Sequence, residues 1–362
     1  MSSNSYRELI VRAWDRNHLL SALIELTYRC NWDCAFCYND LSLRGTPMST
    51  EQHLALLDDL RAMQVLNLIL TGGEPLAHPD FMTIAVRARE LEFAIRLKSN
   101  GHALRGRLAQ RLAAEVDPQI IEVSLHGATA PTHDRQTRVA GSFDRLLENI
   151  DEMRELGLRV KVNTTLTRWN EHEIEEMFAL TDRLGVPFQV DPEVTPRDDG
   201  DLEPLSLAAS PEAMVRLFEL QRARAGAHAV AAIRREGPGT PYAESPGDGS
   251  GEQADSEKHC GAGSSVIAVD PYGNVYPCVQ WRRACGNLHE QSIAEIWSGA
   301  GMHSVRETTR DVKQWLARDH ADRAYGYCPG AAHSNTGSPR ELYPAAESRD
   351  ATVRRVSLPI LR

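Results

Sequence analysis

The sequence predicts an α/β fold in which parallel strands are joined by helical crossovers, followed by a small cysteine-bearing C-terminal region. Three observations carry this. Between Ser21 and Gln189, short apolar runs alternate with amphipathic stretches. Residues 237–257 are rich in Gly, Pro, Ser and acidic side chains, with almost no large apolar ones. Of seven cysteines, three lie within residues 30–37 and four within 260–328.

Taken in order, apolar runs at 21–27, 67–71, 94–99, 120–124, 159–166 and 186–190 are the predicted strands. The segments between them, 50–63, 80–91, 104–115, 143–156 and 171–184, space their apolar residues by three and four. Phe143, Leu146, Leu147, Ile150 and Met153 make one such stripe. Ser49-Thr50-Glu51 and Pro79-Asp80 are helix openings. Six strand–helix units in a row fit an open doubly wound sheet or a β/α barrel, and periodicity does not choose between them. A helix-like stretch follows at 211–225. Residues 258–335 show little regular periodicity, apart from a hairpin at 266–269 and 274–277 around Pro271-Tyr272-Gly273-Asn274 and a short helix at 292–297. The expected organisation is 1–225, a linker at 226–258, a cysteine-bearing unit at 259–335 and an irregular tail at 336–362.

The chain has 362 residues, enough to bury a large core without disulfide staples. Apolar residues make up 42% and charged residues 25%, which excludes bulk disorder. A formal charge of −10 argues against backbone-driven nucleic-acid binding. No apolar run approaches the roughly 18 residues of a membrane span. The N-terminal residues lack the basic-then-apolar pattern of a secretory signal. The expectation is a cytoplasmic protein without membrane or nucleic-acid partners, whose odd cysteine count points to metal ligation or catalysis.

Cys30, Cys34 and Cys37 follow the first strand as Cys-x3-Cys-x-Phe-Cys. Three thiolates in eight residues can converge on one soft metal centre. A closed structural zinc site needs a fourth ligand, for which His126 or His133 is the distant candidate. A [4Fe–4S] cluster on three thiolates instead leaves one iron open. The second strand ends in Thr71-Gly72-Gly73-Glu74-Pro75, where two glycines permit close backbone approach. The Glu74 carboxylate there either pairs with an amine or caps a turn.

Together these motifs resemble the radical S-adenosylmethionine superfamily over residues 20–190. The resemblance implies a partial (β/α)6 barrel. It also implies a [4Fe–4S] cluster on Cys30, Cys34 and Cys37 whose open iron binds S-adenosylmethionine. Phe36 then corresponds to the aromatic residue near the adenine, and Gly72, Gly73 and Glu74 to the motif that receives the methionine amine. Ser99 and Asn100, with Gly101, resemble a segment near the ribose, and Ser124 a ribose-contacting serine. In His133-Asp-Arg-Gln-Thr-Arg138, Arg138 resembles the partner of the methionine carboxylate, with Arg135 the alternate. Asn163 is a further cofactor-facing candidate. His126 stands where the family often has Asp.

The second set, Cys260, Cys278, Cys285 and Cys328, resembles the SPASM domain of peptide maturases or its shorter twitch version. Gly273 five positions before Cys278, the run Gly286–Trp297 and Tyr327-Cys328-Pro-Gly330 carry that resemblance. The full pattern has seven cysteines; four here imply one auxiliary [4Fe–4S] cluster. Cys285 lies where the family does not usually place a ligand: it completes the cluster, leaves it open to substrate, or is simply buried. Val279 replaces the Asp that sulfatase-maturing enzymes use as a base, which argues against that activity. The implied function is oxidative modification of a ribosomally made precursor peptide. The alternatives are dehydrogenation of a small alcohol or aminocyclitol, haem-side-chain decarboxylation, and a non-catalytic metal protein. An external electron donor such as flavodoxin or ferredoxin is implied, and a separate peptide-recognition protein is a further expected partner. No catalytic base stands out; Asp191, Glu193 and Asp270 are positional candidates.

Overall fold

A computed structural model describes residues 3–40, 42–225, 256–320 and 326–357. The linker expected at 226–258 falls almost entirely outside them. Six parallel strands follow one another across a sheet: β1 (Ser21–Glu25), β2 (Asn67–Thr71), β3 (Ala94–Ser99), β4 (Ile120–Ser124), β5 (Val160–Thr165) and β6 (Phe188–Asp191). Their registers align Ile24, Leu70, Leu97, Ile121 and Val160 in one row. The crossovers run through helices α1 (Ser3–Arg16, ahead of β1), α2 (Thr50–Ala62), α3 (Phe81–Glu90), α4 (Gly106–Arg111), α5 (Ala130–Thr137), α6 (Ser142–Glu155) and α7 (Ile174–Leu184). Helix α8 (Pro211–Ala225) follows β6. Ser49 caps α2 through a capping box with Gln52, as the Ser-Thr-Glu start foretold. Among the described residues β6 does not close onto β1, so the sheet is an open, partial barrel.

The sheet does not stop at six strands. Strand β7 (Val266–Val269) lies parallel to β1, with Ser21 facing Val266, and β8 (Asn274–Tyr276) and β9 (Gly286–Asn287) continue antiparallel. The cysteine-bearing region therefore extends the barrel sheet at its β1 edge. Ile267, Val269, Val275, Ile293, Ile296 and Met302 share one hydrophobic core with the barrel strands and helices.

Two expectations are corrected. Residues 258–335 contain, besides α9 (Ile293–Ser298), a long helix α10 (Ala300–Asp319) and a short α11 (Pro329–Thr336). The tail is not irregular, because α12 (Pro344–Ser357) packs along α8. The buried face of α10 is Met302, Val305, Arg306, Thr309, Val312 and Leu316, so polar residues dilute a helical stripe. Among its described side chains the buried positions of α12 are Ala346, Arg349 and Thr352, a mostly polar set. Among the described residues no helix is long and apolar enough to cross a membrane.

Candidate functional site

The loop after β1 carries Cys30, Cys34 and Cys37 at the carboxyl ends of the parallel strands, where such sheets place their chemistry. It is held from two sides. On one, Gly73 N–H donates to Thr27 O at 2.7 Å and Glu74 N–H to Arg29 O at 2.9 Å. A Cβ on Gly72 would stand 2.3 Å from Thr27 O, and one on Gly73 2.6 Å from Tyr28 O, so the two glycines are required by the approach of the cysteine loop itself. On the other side, Asp33 and Ala35 N–H donate to Thr137 and Gln136 carbonyls at the end of α5. Arg138, in the left-handed region at φ 57°, pairs with Asp33 at 3.0 Å. Its side chain is half exposed. Arg135 instead stacks over Trp169 at 4.2 Å.

Burial pushes all three thiols up, and the neighbouring cysteines push Cys34 further. Each of the three thus lies within electrostatic reach of the others. Among the described residues no three His, Cys, Asp or Glu donors converge tightly enough for a single metal ion. His133 Nδ1 accepts the His126 N–H at 3.0 Å, and burial holds both rings neutral, at about 4 for His133 and about 3 for His126. Three thiols on one loop that act on one another are the donor set of an iron–sulfur cluster.

Glu74 ties the ends of β2 and β3 together. Its Oε1 accepts from Ser99 Oγ at 2.9 Å and Leu76 N at 3.1 Å, and its Oε2 accepts from Asn100 N at 2.7 Å. Burial raises its carboxyl to about 7 against these hydrogen bonds. Asn100 Nδ2 reaches the cysteine loop at Asn31 Oδ1, 2.7 Å, and lies 3.8 Å from Cys30 Sγ. Gly72, Gly73, Glu74, Ser99, Asn100 and the three cysteines thus form one connected cradle. Phe36 stands edge-on to His126, centroids 4.8 Å apart, beside the end of β4 where half-buried Ser124 sits opposite Asn163.

Apart from Asn163, one layer went unnoticed in the sequence. Ile95, Leu97, Ile121, Val123, Val160 and Val162 face the helices, so the alternate residues line the barrel interior. These are charged or polar: Arg96 and Lys98 on β3, Glu122 on β4, Lys161 and Asn163 on β5, Gln189 on β6. Glu122 accepts from Arg96 Nε at 2.9 Å and Asn163 Nδ2 at 2.7 Å, with Lys98 at 3.6 Å. Burial opposes its charge, but Lys98, Arg96 and Lys161 outweigh that and hold it at about 2. Burial brings Lys161 down to about 8. The signal was present as Arg-x-Lys in a strand otherwise expected to be apolar on both faces.

The second cysteine set gathers at the far side of β7 and β8. Asp270, offered above as a base, organises the hairpin: Oδ1 accepts from Tyr272 N and Asn274 N, and Oδ2 from Asn274 Nδ2 and Tyr276 OH, all between 2.8 and 3.0 Å. Burial raises Cys260 to about 12 and lifts Cys278 and Cys328 too, and the charges of the three act on one another. Cys285 packs with Cys260 and Cys278 against Ala262, Trp281 and Val305. Burial takes it to about 11, and the charges acting on it are Arg283 and Arg306 rather than another cysteine.

Arg282 joins the two halves. Its guanidinium grips Glu25 of β1 through two bonds, at 2.6 and 2.9 Å, and its Nε lies 3.0 Å from Asp198 beyond β6. Burial raises Asp198 to about 7, opposed by Arg282. Asp198 N–H donates to Tyr38 O and Arg197 Nη1 to Cys37 O, so the same loop touches the first cysteine set.

Comparisons with known proteins agree with this geometry. Residues 24–181 match the radical SAM superfamily, and residues 260–328 match SPASM, an iron–sulfur cluster-binding domain. The chain is 27% identical to the AdoMet-dependent heme synthase of Methanosarcina barkeri, over 88% of this chain and 94% of that one. It is 29% identical to the mycofactocin maturase MftC of Mycobacterium ulcerans, over 87% and 84%. Its fold matches anSMEcpe, solved with bound AdoMet and the Cp18Cys peptide, with a TM-score of 0.68 at 16% identity, over 94% and 97%.

Proposed function

Because the chain belongs to the radical SAM superfamily and joins that domain to a SPASM iron–sulfur domain, we propose that it is a peptide maturase, oxidatively modifying a ribosomally made precursor. It is an oxidoreductase whose cofactors are S-adenosylmethionine and [4Fe–4S] clusters. When bound, these supply a 5′-deoxyadenosyl radical and a sink for the electron left on the substrate. Cys30, Cys34 and Cys37 hold the first cluster. Gly72, Gly73 and Glu74 receive the methionine amine, Arg138 released from Asp33 its carboxylate, and Phe36, Ser99, Asn100 and Ser124 the nucleoside. Cys260, Cys278 and Cys328 hold the auxiliary cluster. Residues 1–225 and 259–335 are then two functional halves on one sheet. The reading places the protein in the cytoplasm, with an external electron donor and a separate peptide-recognition partner.

The observation that carries the oxidative reading is the second cysteine trio, seated on the same sheet as the first and linked to it through Arg282. The likeness to a mycofactocin maturase supports a peptide as the substrate. A second reading, haem-side-chain decarboxylation, is favoured by the cations Arg96, Lys98 and Lys161 inside the barrel, which suit a substrate bearing carboxylates.

The test is anaerobic turnover with reductant, S-adenosylmethionine and the short peptides encoded beside the gene. Wild type should release 5′-deoxyadenosine, and mass spectrometry should find one peptide short of two hydrogens. Cys34→Ala should release none; Cys278→Ala should still release it without modifying the peptide. Unchanged peptides, with carboxyl loss from a carboxylated tetrapyrrole, would install the second reading.

A further inference from the structure

The barrel interior holds more positive charge than it answers. Lys98, Glu122 and Lys161 stand directly across β3, β4 and β5 from one another, and Arg96 lies one inward-facing position deeper on β3. All four face the interior, because the alternate residues Leu97, Ile121 and Val162 belong to the core under the helices. Glu122, at the centre, is 2% exposed and already occupied. Its Oε1 accepts from Nε and Nη2 of Arg96, and its Oε2 from Asn163 Nδ2 at 2.7 Å. Lys161 donates to Gln189 Oε1. Lys98 differs from both. Its Nζ lies 3.6 Å from Glu122 Oε2, near enough to feel the charge but too far for a hydrogen bond. Among the described residues its ammonium donates none, and its side chain is 41% exposed where that of Arg96 is 12%. The other carboxylate within reach of its charge, Asp191 on β6, answers more strongly to Arg349. Lys98 also directly precedes Ser99 and Asn100, which bond to Glu74 and, through Asn100 Nδ2, to Asn31 of the cysteine loop at 2.7 Å. An uncommitted ammonium therefore stands inside the barrel, one residue below the first cysteine site.

We propose that Lys98 anchors a carboxylate of the precursor peptide, so that the modified residue is an Asp, a Glu or the C-terminal residue, or adjoins one. The proposal rests on the reading of the chain as a peptide maturase and names its substrate class, a peptide acidic at the modified site. Arg96 and Asn163 fill the acceptor positions of Glu122, so the ammonium keeps its donors for an incoming anion. An ammonium–carboxylate bond in a partly buried place is charge-assisted and little screened by salt. Holding the peptide by that one group fixes its register beneath the cofactor, and so decides which carbon is presented.

The experiment uses the full chain with its clusters reconstituted anaerobically, S-adenosylmethionine, reductant and the short peptides encoded beside the gene. The peptide that wild type modifies is remade with each Asp and Glu changed singly to Asn or Gln, and once with an amidated C-terminus. One of these changes should raise KM about ten- to a hundredfold, with a smaller effect on kcat. Lys98→Gln should raise KM for the unaltered peptide by a similar factor, and the two changes together should weaken binding no further than either alone. Lys98→Arg keeps the charge and should recover most of the loss. The peptide-side changes probe the same bond without touching the protein's fold. S-adenosylmethionine, titrated against the cluster's EPR signal, should bind Lys98→Gln as it binds wild type. The anchor is overturned, with the peptide reading intact, if the two penalties multiply, if Lys98→Gln leaves KM where it was, or if it weakens S-adenosylmethionine instead. Peptides left unchanged by wild type, whether or not a carboxylated tetrapyrrole loses a carboxyl group, overturn the peptide reading and the proposal with it.

Discussion

Glu74 holds two occupations that the sequence set against each other. Its carboxylate caps the turn at Pro75–Ala77 and braces Ser99 and Asn100, using three acceptor positions. A carboxylate offers about four, so one remains for an ammonium group. Glu74→Gln places an N–H₂ against groups that themselves donate, which should lower stability by about 1–3 kcal/mol. Losing the charge-assisted bond should also weaken S-adenosylmethionine binding roughly ten- to a hundredfold. Thermal melts and cofactor titration followed by EPR separate the two. A lowered melting temperature with an unchanged Kd leaves only the brace. Cys30, Gly73 and Glu74 were legible because chemistry restricts which residue types can stand there. The pairing of Glu193 with Arg349 was not legible, because Arg349 arrives from the far end of the chain.

Helix α5 was invisible to periodicity, being eight residues long and buried through Thr132, His133, Gln136 and Thr137. It nevertheless clamps the cysteine loop. Its docking on β4 runs through His133, whose Nδ1 takes the His126 N–H and must stay neutral to do so. Both rings titrate far below the ordinary histidine value. The native state therefore binds fewer protons than the unfolded chain between about pH 6.5 and 4, and these groups lose stability as pH falls through that window. His133→Asn keeps an acceptor at the Nδ1 position and removes one titration. Its stability deficit at pH 7.5 should shrink toward pH 5, by at most about 1.4 kcal/mol per pH unit. Urea unfolding of the apoprotein at the two pH values checks this, and a constant deficit would rule out the neutral-ring docking. Crossover helices α2, α3 and α6, by contrast, were read from sequence to within a residue, because each buries an apolar stripe, whereas α4 ends four residues and α7 starts three residues from its expected bound.

Across the molecule, Arg282 spans the open side of the partial barrel from β1 to the loop beyond β6. Removing it strands two buried carboxylates, Glu25 and Asp198. Arg282→Met should cost about 3–5 kcal/mol in denaturant unfolding, and adding Glu25→Gln should restore part of it. A loss under about 0.5 kcal/mol would mean that the pair is solvated and the barrel is held elsewhere. The β1–β7 ladder was not legible, since nothing in an apolar run says which distant strand will lie beside it. That ladder also fixes an order of events during synthesis. The ribosome makes β1 almost first, yet the edge from Ser21 to Ile24 finds its partner only when Val266–Val269 emerges. Until then the nascent chain carries β1 paired only on its β2 side, with an open edge of the kind that recruits other chains, and long-range pairing of this sort is slow. A message truncated before β7 therefore yields a fragment whose β1 edge is left exposed.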